Sequence, residues 1–148
     1  MNDLTVVSGV DDAAAEGLIE NLQAFNDSHH PLIAARRLQP NDPAPLHVFA
    51  KDVRGVVVGG ILAKAWVTWK WLEVEIVWVD EVYRGQGLGS MLLDEIEQVG
   101  RGLGCTRARL STWSFQAPGF YLRRGYQIYG ELPDFPEGVT DYRLWKPL

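Results

Sequence analysis

A chain of 148 residues, 47% of them hydrophobic, is one domain's length and long enough to bury a core, so residues 1–148 read as a single domain. The net charge of -5 comes without a basic block, which argues against broad contact with nucleic acid or an anionic membrane and limits any bound polyanion to a small one. The single cysteine, Cys105, excludes an internal disulfide; with no basic-then-apolar leader, and with residues 61–66 too short to span a bilayer, the expected location is the cytoplasm.

Taken in order, residues 4–8 alternate and contain Thr and Val, which predicts a first strand. Asp11 and Asp12 stand where a helix N-cap belongs, ahead of an Ala- and Leu-rich run to about Phe25. Residues 26–45 hold four prolines, the pair His29 and His30, and the pair Arg36 and Arg37; they show no clean period beyond a short helix over 32–38. Residues 46–51 and 56–66 predict a hairpin turning at 52–55, with Gly59 and Gly60 marking a bulge or a close backbone approach. A strand over 71–79 follows, then a helix with Leu88, Leu92, Ile96, Val99 and Leu103 on its inner stripe and Asp94, Glu95, Glu97 and Gln98 largely outside it. Gly104 stops that helix. A strand over 106–113, a short helix from Pro118 to Gly125, and strands over 126–132 and 140–146 complete the chain. The order predicts an α/β (α+β) fold, a mixed sheet with helices on its faces.

The segment richest in chemistry is 73–90, EVEIVWVDEVYRGQGLGS. A β-prone run meets three alternate glycines, Gly85, Gly87 and Gly89, and a helix begins at once. Missing Cβ atoms open the backbone, and the unpaired N–H groups of a helix start suit an anion such as a pyrophosphate. A dinucleotide-binding fingerprint fails here because its third glycine is misplaced and its strand comes late; a P-loop fails for want of a lysine beside Ser90. A glycine-rich turn without a ligand is the competing reading of this segment alone.

The pattern Arg84-x-x-Gly87-x-Gly89 after an apolar strand resembles the acetyl-CoA signature of the GNAT acetyltransferase superfamily, and residues 114–126, SFQAPGFYLRRGY, resemble its second characteristic segment. The resemblance implies a mostly antiparallel mixed sheet flanked by helices, and acetyl-CoA as cosubstrate with no metal. By the same resemblance the backbone of Arg84, Gly85, Gln86, Gly87, Leu88, Gly89 and Ser90 holds the pyrophosphate. The family's central strand is typically bulged and splayed, which implies that main-chain groups of Val77, Trp78 and Val79 pair with the pantetheine arm as a strand would. Tyr121 matches the position of the acid that protonates the leaving thiolate. Gln116 stands where asparagine is frequent and is a weaker candidate for the cofactor arm. Glu73 falls where some members place a carboxylate that removes the amine's proton, and Glu75, on the same side of a regular strand, is its alternative. A core role for Tyr121 and a solvated face for the two glutamates are the competing readings. Arg123 and Arg124 suit a phosphate or a solvated helix face, and Glu131, Asp134 and Glu137, about the acidic loop over 133–138, suit a cationic acceptor.

The expected function is therefore direct transfer of an acetyl group from acetyl-CoA to a primary amine, on a small molecule or on a protein lysine or N-terminus, with a homodimer as the expected partnership. A CoA-binding sensor or interaction module without turnover is the reading from another class.

Overall fold

The computed structural model describes residues 4–148 and divides into two compact units, one ending at Gln39 and the other Pro40–Leu148. In the first, helix α1 (Asp12–His29) starts on Asp11, whose carboxylate accepts the Ala14 amide at 2.9 Å and so satisfies one of the four donors that every helix start leaves unpaired. Helix α2 (Pro31–Arg37) begins on a proline, which needs no partner for its nitrogen there; Arg37 pairs with Asp27 at 3.0 Å. Residues 4–8 form no strand and are exposed, contrary to the sequence expectation. Thr and Val make a segment β-prone, but a strand exists only through pairing, which composition cannot report.

The second unit carries strands β1 (Ala44–Lys51), β2 (Val57–Trp66) and β3 (Trp71–Val79), a 3₁₀ turn (Glu81–Tyr83) and helix α3 (Leu88–Gly102). Strand β4 (Arg107–Trp113), helix α4 (Pro118–Arg123), β5 (Gln127–Leu132) and β6 (Asp141–Pro147) follow. The six strands lie in the order β1-β2-β3-β4-β6-β5, and only β3 and β4 run parallel, because α3 carries the chain over the sheet between them. The Asp52 carboxylate accepts the amides of Arg54 and Val56 and shapes the β1–β2 turn. Gly59 and Gly60 mark close approach: a Cβ on Gly60 would stand 2.9 Å from the Val48 carbonyl, and one on Gly59 3.2 Å from Leu92.

Helix α3 lies on one face of this sheet, with Leu92, Leu93 and Ile96 buried against Ile61, Leu72 and Leu110. Its inner stripe is rotated from the one expected. Gly100 lets the helix settle until the position of its absent Cβ is 3.2 Å from Leu72, so Val99 and Leu103 stay 36% and 41% exposed while Glu97 turns inward at 2%. A buried carboxylate needs partners. The Tyr126 hydroxyl donates to it at 3.0 Å and the Lys146 ammonium at 2.8 Å, with Arg101 at 3.5 Å.

Candidate active site

The site is made by an irregularity in β3. Leu62 faces Ile76 and the next residue, Ala63, faces Val74, so Glu75 is an extra residue, a β-bulge. On the other side, β3 and β4 pair only from Trp71–Arg107 to Val74–Leu110; beyond the bulge β3 keeps to β2, β4 keeps to β6, and the two part. The opening is a cavity of about 940 Å³.

Register decides what β3 offers to it. The Asp80 amide donates to the Val58 carbonyl at 2.9 Å, which makes Gly59–Val79 a pair that exchanges no ladder bond. The main-chain groups of Val79, and of Val77 two residues before it, therefore point away from β2 into the opening. Their side chains pack against the core, while Trp78, half exposed, lines the cavity.

At the end of β3 the Asp80 carboxylate caps the 3₁₀ turn by accepting the Val82 amide, and Arg84 donates from Nε to the Val79 carbonyl at 2.9 Å. Arg84 thus braces the corner with one edge of its guanidinium. Gly85 and Gly87 have φ of 72° and 85°, the left-handed region that side chains rarely occupy, and a Cβ on either would meet nothing within 4 Å. Gly87 caps α3 with no side chain across the helix start, and the first intrahelical bond is accepted by Gly87 from Met91. The amides of Leu88, Gly89 and Ser90 accordingly have no helical acceptor, and these residues line the cavity. Gln86 does not; its side chain donates back to the Val82 carbonyl.

The opposite wall comes from β4 and α4. Tyr121 is 7% exposed, its ring edge-on to Phe120 and Tyr126, and its hydroxyl makes no hydrogen bond to another described residue. Burial pushes its pKa up to about 12, so the phenol is neutral at physiological pH. Gln116 lines the cavity as well, but its carbonyl oxygen is engaged by the Thr112 hydroxyl and the Trp113 amide. Phe115, Phe120 and Thr112 complete this wall. The two phenylalanines sit inside the second sequence block, yet nothing in their spacing distinguishes a cavity-lining ring from a core one.

The two glutamates differ. Glu73 lies in the paired half of β3, outside the cavity, with both oxygens engaged, by Arg109 at 3.0 Å and by the Trp66 indole at 2.8 Å. Glu75 is the bulge residue and lines the opening, with Lys64 bound to one oxygen. Regular alternation therefore does not hold between 73 and 79. Arg123 lines the cavity, Arg124 is tied to Asp94, and Glu131 near the end of β5, with Asp134 and Glu137 on the β5–β6 loop, lies outside it. Among the described residues no group of three His, Cys, Asp or Glu stands close enough to hold a metal ion, and no helix is long and apolar enough to cross a membrane.

Residues 14–126 match the model of the acetyltransferase (GNAT) family. The chain belongs to this family. It is 41% identical over 135 residues to a blasticidin-S acetyltransferase of Streptomyces morookaense, covering 88% of this chain and 98% of that one. An acetyltransferase of Agrobacterium fabrum is 30% identical, covering 91% and 92%. The crystal structure of an acetyltransferase from Bacillus cereus superimposes with a TM-score of 0.77 at 28% identity, covering 97% and 98%. The protein is thus a GNAT-type acyltransferase with the family's mixed, mostly antiparallel sheet.

A second hollow, of about 630 Å³, lies where Trp66, Trp69, Trp71 and Trp145 gather with Arg107 and Arg109. These residues alternate with the core residues Leu72, Ala108 and Leu144, so they occupy the face of the sheet opposite α3, beside the closed half of the β3–β4 pair. Unlike the cleft, it is bordered by neither a glycine turn nor a parted pair of strands.

Proposed function

We propose that the protein is an acetyl-CoA-dependent N-acetyltransferase that works as one domain and acetylates a primary amine of a small molecule, blasticidin S being the first acceptor to test. The observation that carries this reading is the parted β3–β4 pair, with main-chain groups of Val77 and the Val79 N–H turned away from β2 along one wall and an uncapped helix start at its end. A pantetheine arm carries two amides and suits the first; a pyrophosphate suits the second. The family match and the 41% identical blasticidin-S acetyltransferase support the acceptor class.

The thioester supplies an activated acetyl group, and the chain's own residues do the rest. Amides from Gly85 to Ser90 hold the anion, with Arg84 fixing the corner and Gln86 latching it to Val82. The Val79 N–H, pointing into the opening, stabilises negative charge on the carbonyl oxygen. Glu75 lies at the cavity and takes the amine's proton, directly or through water; Glu73, whose oxygens are both engaged, holds Arg109 and Trp66 in place. Tyr121 faces the leaving sulfur. A phenol at about 12 opposite a thiol near 8.5 gives up its proton only against a gradient of about 3.5 powers of ten, so the hydroxyl acts first as a donor to the developing thiolate. Cys105 is buried away from the cleft, which supports direct attack by the amine with no acetyl-enzyme.

The test is release of free thiol from acetyl-CoA on addition of blasticidin S, with the acetylated product identified by mass spectrometry. A product on blasticidin S supports the reading. Turnover on other amines but not on blasticidin S would keep the activity and remove this acceptor.

A further inference from the structure

Helix α4, which carries Tyr121, is six residues long and has no side-chain cap. A helix that short does not hold itself together in water, so the height of the Tyr121 hydroxyl in the cleft is set by whatever grips α4 from outside. Beyond the packing of Phe120 and Tyr121 on the core, the polar grip is at its C-terminal end. The Tyr121 carbonyl accepts the amides of Arg124 at 3.0 Å and Tyr126 at 3.1 Å, and the Lys146 ammonium donates to the Arg124 carbonyl at 3.1 Å. Both outer anchors converge on one side chain of α3: Glu97 accepts from Lys146 through one oxygen and from the Tyr126 hydroxyl through the other. The Tyr126 ring in turn meets the Tyr121 ring edge-on at 5.9 Å. A second tie, from Arg124 to Asp94, fixes the same corner to α3 from its exposed side.

We propose that Glu97 is a positioning residue, acting through the Tyr126 hydroxyl and the Lys146 ammonium to set where the Tyr121 hydroxyl stands in the cleft. The charge is conspicuous because nothing about α3's packing requires it. A leucine at this inward position would bury more apolar surface, and a buried ion pair gives little net stability over an apolar replacement. What a carboxylate adds is direction: besides Arg101 of its own helix at 3.5 Å, its two oxygens fix two donors from elsewhere, one on the segment after α4 and one on β6. Glu97 also sits on the helix whose first turn forms the glycine corner, so the anion-holding amides and the grip on Tyr121 share one rigid rod. The spacing between the two ends of the reacting group is thereby written into α3.

This inference rests on Tyr121 acting at the leaving sulfur, and a double-mutant cycle separates the two claims. Glu97→Gln, Tyr121→Phe and the double variant, all in the full chain, are compared by thiol release from acetyl-CoA, with blasticidin S and with water alone as the slower acceptor. Glu97→Gln should lower kcat about ten-fold while KM for acetyl-CoA stays within about two-fold, since misplacement of about 1 Å costs rate rather than affinity. In the Tyr121→Phe background the same change should cost nothing further. A loss that persists in full in that background overturns the positioning role while leaving Tyr121 as the donor. Wild-type turnover of Tyr121→Phe removes the donor role, and the inference with it. Should Glu97→Gln fail to fold, Tyr126→Phe keeps the Glu97–Lys146 pair and should lower kcat about three-fold, again only when Tyr121 is present. Independently of turnover, the Tyr121 hydroxyl should be displaced relative to β3 in a crystal structure of either variant; an unmoved hydroxyl overturns the proposal.

Discussion

Strand β3 has two halves that share composition and differ in what surrounds them. In the half from Trp71 to Val74, β4 runs alongside, Leu72 and Val74 are buried, and Glu73 has both oxygens engaged. In the half from Glu75 to Val79, β4 has moved away and main-chain groups face a cavity. One half is held by its polar partners; the other keeps polar groups unspent. The difference teaches that in this protein the cavity opens where pairing stops, and the proposed reaction is placed there by the backbone more than by any one side chain.

The comparison can be broken most sharply at the glycine corner of the open half. Gly87→Val puts a β-branched residue at a φ of 85°, and should abolish acetyl-CoA binding by calorimetry at about 1 mM ligand while the chain stays folded. Binding retained at micromolar affinity would mean that the corner does not hold the anion. Next in size, Tyr121→Phe should reduce kcat about 10²-fold with acetyl-CoA affinity changed by less than about three-fold, the usual scale for losing an acid group. The two glutamates then test the halves against each other. Glu75→Gln should lower kcat/KM about ten-fold with little effect on Tm. Glu73→Gln should leave kcat within about two-fold but lower Tm by about 3 °C, since it weakens the partners of Arg109 and Trp66. Reversed results would move the base into the closed half.

The smallest expected effect is on pH dependence. Burial raises the Tyr121 pKa from the ordinary phenol value to about 12, which means that the folded state favours the protonated form. Tyr126 is raised in the same direction, by burial first and then by the Glu97 charge. Stability from Tyr121 is fully present below about pH 10 and is lost as pH rises towards and through about 12, and the Tyr126 contribution has the same sign. The turnover profile should accordingly show no alkaline fall from Tyr121 up to about pH 9.5, and a descending limb near pH 8 would place a different group in its role.

Much of this was legible in the chain. The geometry of the Arg84-x-x-Gly87-x-Gly89 turn was readable because left-handed glycines and a helix start leave a sequence signature that does not depend on distant residues. The place of Tyr121 at the cavity was legible through its block, which is local in the same way. Glu97 was not, because its partners Tyr126 and Lys146 stand 29 and 49 residues away and a helical wheel sees only its own turn. Rotation of the α3 stripe had the same origin: Gly100 reads as a weak helix position, and only the sheet beneath it reveals that it lets Leu72 come close. The strand expected over residues 4–8 failed in the opposite sense, since a favourable composition had no bearing on pairing. Which of Glu73 and Glu75 lines the cavity depends on a bulge that period-two counting assumes away.

That bulge bears on how the protein can change. Because the slot exists through one surplus residue, its presence is encoded in chain length rather than in any residue type, and scanning by substitution would pass over it. Removing Glu75 outright should let β3 rejoin the regular pattern and zip the slot shut, yielding a well-formed but inert fold. Among descendants of such a chain, loss of the reaction can therefore follow from a single deleted codon, with no substitution at the glycine corner or at Tyr121.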